Sequence, residues 1–131
     1  MVHRYTGGAV PDAGSAHPPQ AEALTSAIAA APADIDAALA DADFRRATAV
    51  VWNIADEANR YINHVQPWRP ACHQRDQVLA ALVCACRAIG VHLRPVLPDA
   101  AARITAQCTP RDARLPDPSP IFTRLAAAGR P

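Results

Sequence analysis

The chain has 131 residues, half of them apolar, with 13 basic and 12 acidic side chains and a formal net charge of +1. That length suits one domain with its own hydrophobic core. All 13 basic residues are Arg, which excludes a Schiff-base lysine, a phosphate-loop lysine and every other lysine-dependent motif. The charge is unevenly spread. Residues 1–59 carry three Arg against eight acids, and residues 60–131 carry ten Arg against four acids. The C-terminal half is therefore the candidate surface for an anionic partner, unless an acidic helix pairs with a basic one inside the molecule.

Residues 1–19 read as a helix remnant and a loop. Tyr5-Thr6-Gly7-Gly8 is a helix stop, with Gly supplying a left-handed cap, and Pro18-Pro19 closes the loop. Gln20 to Ala42 is an Ala-rich helical segment with Leu24, Ile28, Ile35 and Leu39 at helical spacing. Pro32 is expected to kink or restart it. Asp43 is a candidate N-cap. After it, Phe44, Ala47, Val51, Ile54, Ala58, Tyr61, Ile62 and Val65 form a continuous stripe, the best amphipathic pattern in the chain. Pro67 ends that helix. A loop, PWRPACHQR, leads to a third long helix over about Asp76–Leu93. It is apolar over most of its circumference and so is expected at the centre. Pro98 opens a short helix to about Gln107. Residues 108–131 read as a Pro-rich tail with one apolar knot, Ile121, Phe122 and Leu125. Residues 20–107 are thus the helical core, and no alternating strand pattern interrupts it. The expected class is all-α, a single small antiparallel bundle.

The apolar stretches read as too short and too interrupted for a membrane span, and the N-terminus lacks a signal core, so a cytoplasmic protein is expected. Cys72, Cys84, Cys86 and Cys108 are then expected as structural thiols. Their spacing fits no metal site, and Cys84 and Cys86 point to different faces of a helix. No catalytic residue and no cofactor site is expected. Asp56 and Glu57 point apart on their helix, and no nucleophile–base pair or phosphate cradle stands out. His92 reads as a packed core histidine and Trp52 as a packing residue.

The informative stretch is ANRYINHVQPWRP, residues 58–70. A helix ends in Asn59, Asn63 and His64, and Pro67 then presents Trp68 beside Arg69. An aromatic on a rigid loop, flanked by Arg and amides, suits stacking on an unpaired base. A Pro-Trp pair at a helix end also serves as a packing wedge. Asn59 and Arg60 read equally as nucleic-acid contacts or as a capping amide and its neighbour. Arg69 reads equally as a phosphate partner or a solvated loop residue.

ANRYI and the following PW, preceded by DFRRATAVVW, resemble the anticodon-binding domain of class I methionyl-tRNA synthetases. HRYTGGAVP, LRPVLPDAAARI and SPIFTRL resemble further segments of that family, in the same order over nearly the whole chain. The resemblance implies a helical bundle of the class Ia synthetase anticodon-binding type, with tRNA as partner through the CAU anticodon. It implies that Trp68 packs against the first anticodon base. Trp68, Arg69, Asn59, Asn63 and Pro67 are the expected anticodon-binding residues. The family's Asn–Arg pair that reads the same base lies upstream of the HRY segment and is not among these residues. The catalytic H-x-G-H and lysine loop are also not among them, so no aminoacylation is expected from these residues alone.

The expected function is therefore a tRNA-binding module that serves a synthetase catalytic subunit in trans or acts as an adaptor. The competing expectation is a protein-interaction or self-association module, in which a groove left by a missing first helix takes a partner. A decayed or mis-started synthetase fragment is the third.

Overall fold

The computed structural model describes residues 1–11, 18–70 and 72–122. Among these, five α-helices follow one another: α1 (Val2–Thr6), α2 (Glu22–Ala40), α3 (Phe44–Val65), α4 (Arg75–His92) and α5 (Pro98–Cys108). A short 3-10 turn, Pro19–Ala21, leads into α2. The all-α expectation holds.

α2 and α3 form a helical hairpin that packs through Leu24, Ala31, Ile35 and Ala38 on one side and Ala47, Val51, Ile54 and Tyr61 on the other. Small alanines on α2 let the two backbones come close. Asp43 caps α3 as expected: its Oδ1 accepts from the backbone N–H of Arg46 at 2.9 Å, which satisfies an otherwise orphan donor of the first turn. Two expectations for this hairpin are revised. Pro32 does not restart α2, which runs through it to Ala40. It sits on the exposed face between buried Ala31 and Ile35, so water can take up the carbonyl that its missing N–H leaves free. Phe44, expected in the stripe, is 66% exposed. As the first residue of α3 it lies beyond the end of the packed face.

α4 is the central element. Val78, Leu79, Ala80, Ala81, Val83, Ala85 and Gly90 are buried around its circumference, and it touches α2, α3 and α5. Gly90 sets the distance to α5. A Cβ there would lie 2.7 Å from Thr105 Oγ1 and 3.2 Å from the Thr105 backbone nitrogen, so the two helices meet at their backbones. The 22 residues Pro19–Ala40 are long and apolar enough, by length and composition alone, to cross a membrane. This departs from the reading that every apolar stretch is too short. Alanine accounts for it, and the segment's buried side chains face α3 and α4.

The segment after α5 is more ordered than its composition suggests. Residues 111–116 run beside the N-terminal turn as a strap. Leu115 N–H donates to Gly8 O at 2.8 Å and Val10 N–H to Ala113 O at 3.2 Å. His3 Nε2 meets Pro116 O at 2.9 Å, and the Arg114 guanidinium donates to Gly7 O. Gly7 adopts the expected left-handed cap at φ 60°. Gly8, at φ 94°, is pressed against the His3 ring, a place only glycine fills without strain. The strap thus fixes α1 to the bundle. Leu125 of the expected apolar knot lies outside the described residues. Phe122 is 69% exposed, and it borders a cavity with Trp52 and Leu97 rather than closing a core.

Candidate nucleic-acid interface

The α3–α4 connection is built by a sharp reversal. Gln66 caps α3 in the left-handed conformation at φ 51°, and its N–H still reaches Ile62 O. Pro67 follows and is fully buried. Arg69 N–H then donates to Gln66 O at 3.0 Å, and Cys72 N–H to Arg69 O at 3.2 Å. Pro67 was expected among the binding residues. Burial leaves it no surface to offer, and it acts as the wedge that seats the turn. Its burial pushes the next residue outward: Trp68 is 47% exposed, a large apolar ring at the end of the bundle. Arg69 is exposed beside it.

One residue holds this turn in shape. Arg75, at the start of α4, donates from Nε to Pro67 O at 2.8 Å and from Nη2 to Arg69 O at 2.9 Å. The two acceptors flank Trp68, so the guanidinium clamps the backbone on both sides of the exposed ring. The Arg75 guanidinium also lies 4.6 Å from the centre of the Tyr5 ring, and Arg4 lies 5.8 Å from the same centre. At these distances the cations are attracted by the face of the ring. α1 is thereby brought against the Trp68 turn, and Arg4, Arg69 and Arg75 gather at one end of the molecule. The sequence reading missed Arg75 and Tyr5. A planar donor fork six residues after the Arg of a Pro-x-Arg turn is the signal that could have found Arg75, because the rigid guanidinium suits two carbonyls at once.

Asn59 and Asn63 are exposed, one turn apart on the outer face of α3. The structure places them on one face. Neither makes a hydrogen bond among the described residues, which leaves their amides free to bond elsewhere. Trp52 lies two turns further back on the same face and is 70% exposed, against its expected packing role. Arg60 forms an ion pair with Glu57 at 2.8 Å but remains largely exposed, so the pair contributes little. His64 is exposed on the last turn.

Beneath this face, Tyr61 is buried and its hydroxyl has no hydrogen-bond partner among the described residues. Burial pushes its pKa above the usual tyrosine value, and the nearby Cys72 adds to the shift. A neutral phenol seated there has no acid–base work at neutral pH.

An α-helical hairpin carrying amides on its outer face, closed by a clamped turn that holds out a tryptophan among arginines, can stack a base and neutralise phosphate. Solved structures share the helical fold. Mycobacterium tuberculosis methionyl-tRNA synthetase bound by methionyl-adenylate superposes with a TM-score of 0.79 at 20% identity, over 94% of this chain and 28% of that one. The free state of the same enzyme gives 0.79 at 21% identity, over 96% and 30%. By fold, then, the chain is a helical bundle of the synthetase anticodon-binding type.

The family is identified by sequence. The model of the anticodon-binding domain of methionyl-tRNA ligase matches residues 10–130, and the chain belongs to that family. The methionine–tRNA ligase of Pyrococcus abyssi is 32% identical over 109 residues, 79% of this chain and 15% of that protein. The corresponding ligase of Streptomyces coelicolor is 31% identical over 114 residues, 79% of this chain and 21% of that protein. The ligase of a Streptococcus pyogenes strain is 30% identical over 115 residues, covering 82% and 17%. The chain therefore spans about a fifth or less of the length of the curated relatives it matches.

Proposed function

We propose that this domain binds the anticodon loop of a CAU-bearing methionine tRNA and takes no part in the chemistry of aminoacylation, working beside a synthetase catalytic unit or as a tRNA adaptor. The observation that carries the reading is the Trp68 turn: a half-exposed indole whose backbone is fixed on both sides by Arg75. A ring held in place before binding stacks on a base without a large ordering cost.

In this reading Trp68 stacks on the first anticodon base. Arg69, exposed beside the ring, meets a loop phosphate, and Asn59 and Asn63 offer amides to base edges. Pro67 acts from beneath as the wedge. Family membership favours this use of the surface over a protein-docking module. Charge supports it as well, since Arg4, Arg69 and Arg75 gather at the end of the bundle that carries Trp68.

The test is the affinity for a CAU anticodon stem-loop at low salt, with and without Trp68→Ala. Stacking is worth about 1–3 kcal/mol per base, which corresponds to roughly 5- to 150-fold in Kd. Absence of binding to any tRNA at low salt, or an unchanged Kd in the variant, overturns the proposal.

A further inference from the structure

We propose that Cys86 and Cys108 form a reactive dithiol that closes to an intramolecular disulfide, an oxidative staple between α4 and α5.

The inference starts from the α4–α5 seam. At Gly90 the two helices touch backbone to backbone, because a Cβ there would meet the Thr105 nitrogen at 3.2 Å. The helices run antiparallel. One turn back along α4 from Gly90 is Cys86, and nearly one turn onward along α5 from Thr105 is Cys108. The close crossing therefore brings these two cysteines to the same level of the seam, where a disulfide would need a short Cα separation. Each thiol shifts the other's titration, Cys86 downward and Cys108 upward, as two neighbouring sulfurs do. Both also line one open, apolar cavity of about 350 Å³, together with Leu79, Leu82 and Val83. Cys86 itself is exposed, so a small oxidant can reach it.

The pair is also electronically uneven. The hydrogen bond from Cys108 lowers the Cys86 thiol from its usual value to about 7, while Cys108 is pushed up and keeps its proton. Cys86, the more exposed of the two, is then the attacking thiol and Cys108 the resolving one. The other two cysteines do not share this arrangement. Cys84 points to a different face of α4, and Cys72 lies by Tyr61.

With a peroxide as oxidant the chemistry balances. The Cys86 thiolate attacks one peroxide oxygen; the O–O bond breaks, leaving a sulfenic acid, and the departing oxygen takes up a proton as water. Cys108 then gives up its proton, and its sulfur attacks the Cys86 sulfur. The S–S bond forms, the S–O bond breaks, and the hydroxide leaves as a second water. Two thiols are oxidised and one hydrogen peroxide is reduced to two waters.

The position gives the staple a consequence. Cys108 is the last residue of α5, where the chain turns into the strap that pins α1. α1 in turn sets Tyr5 against Arg75. A bond at Cys108 fixes the root of that strap to the central helix.

The experiment treats the whole protein with a small excess of hydrogen peroxide, blocks remaining thiols with iodoacetamide, and reads intact mass and tryptic peptides. The expected product is a monomer with two of its four thiols lost, a linked peptide pair containing Cys86 and Cys108, and full reversal by dithiothreitol. Cleavage after Arg75 and Arg87 leaves Cys84 and Cys86 on one peptide, so the same mapping is run on C84S. The link persists in C84S and is lost in C86S. The thermal midpoint of the wild-type protein is expected to rise on oxidation. The proposal fails if four thiols remain alkylatable, if Cys86 accumulates as sulfinic acid unlinked, or if the C84S protein no longer forms the bridge. None of these readouts depends on tRNA.

Discussion

Arg75→Gln isolates the clamp from the ring it holds. The wild-type guanidinium makes one partly buried and one exposed bond to main-chain carbonyls, at 2.8 and 2.9 Å. Hydrogen bonds from a charged donor are worth about 1.5–3 kcal/mol each, and the exposed one belongs at or below the low end. Contact with the Tyr5 ring adds about 0.5–1 kcal/mol. Gln can replace one bond at most and carries no charge. The turn therefore loses about 2 kcal/mol of local order. Affinity falls only to the extent that the disordered turn must be rebuilt on binding, and by no more than stacking on Trp68 itself supplies, about 1–3 kcal/mol. The expected weakening is about 1–2 kcal/mol, or roughly 5- to 30-fold. Fluorescence anisotropy of a labelled CAU stem-loop, at two salt concentrations, measures it in the wild type, Arg75→Gln, Trp68→Ala and the double variant. If the clamp acts through the ring, Arg75→Gln has no further effect once Trp68 is gone, within about 0.5 kcal/mol. The reasoning is refuted if the two losses add, or if the salt slope falls by about one. Either would make Arg75 a direct phosphate contact.

Other expectations follow from packing and titration. Gly90→Ala forces a methyl against the Thr105 backbone. Overpacking costs about 1–3 kcal/mol and improved helix propensity returns up to about 1 kcal/mol, so urea unfolding should show a net loss of roughly 1–2 kcal/mol. A gain would mean that α4 and α5 are not in backbone contact. Asp43→Ala removes the α3 cap and should cost about 1 kcal/mol by the same measurement, with an unchanged stability speaking against the cap. Tyr61 holds its proton more tightly when folded than when unfolded. Stability should therefore be unaffected by this group below the ordinary tyrosine range and should fall as pH rises above about 10. Ultraviolet titration should show one of the two tyrosines ionising late, and two equivalent tyrosines would contradict its burial.

Patterns that repeat along a helix were legible in the sequence. The α3 stripe, the Asp43 cap, the Gly7 stop and the Pro98 start each rest on local chemistry, and each stands where expected. The exposed Trp68 after α3 was legible for the same reason, since a proline exit is a local fact. What failed depended on tertiary neighbours. Phe44 fits the α3 stripe by spacing, but it only borders a small cleft between Leu39 and Leu93 and stays mostly exposed. Trp52 lies off the stripe and borders an open cavity with Leu97, Ile104 and Phe122 rather than packing into a core. Pro67 looked like part of the surface, and only the packed turn shows it beneath. Tyr5 carries no pattern that points to this site, and Arg75 only its place after the Pro-x-Arg turn. They meet because the strap after α5 folds α1 back over the start of α4, a contact between residues far apart in sequence.

The most direct test of Trp68 as the base-stacking residue is its own fluorescence. The chain has two tryptophans, so Trp52→Phe leaves Trp68 as the sole reporter. Titration with the CAU stem-loop should quench its emission to saturation, with quenching largely lost when the first anticodon position is abasic. Emission unchanged at saturating stem-loop, or quenched equally by the abasic loop, would contradict it.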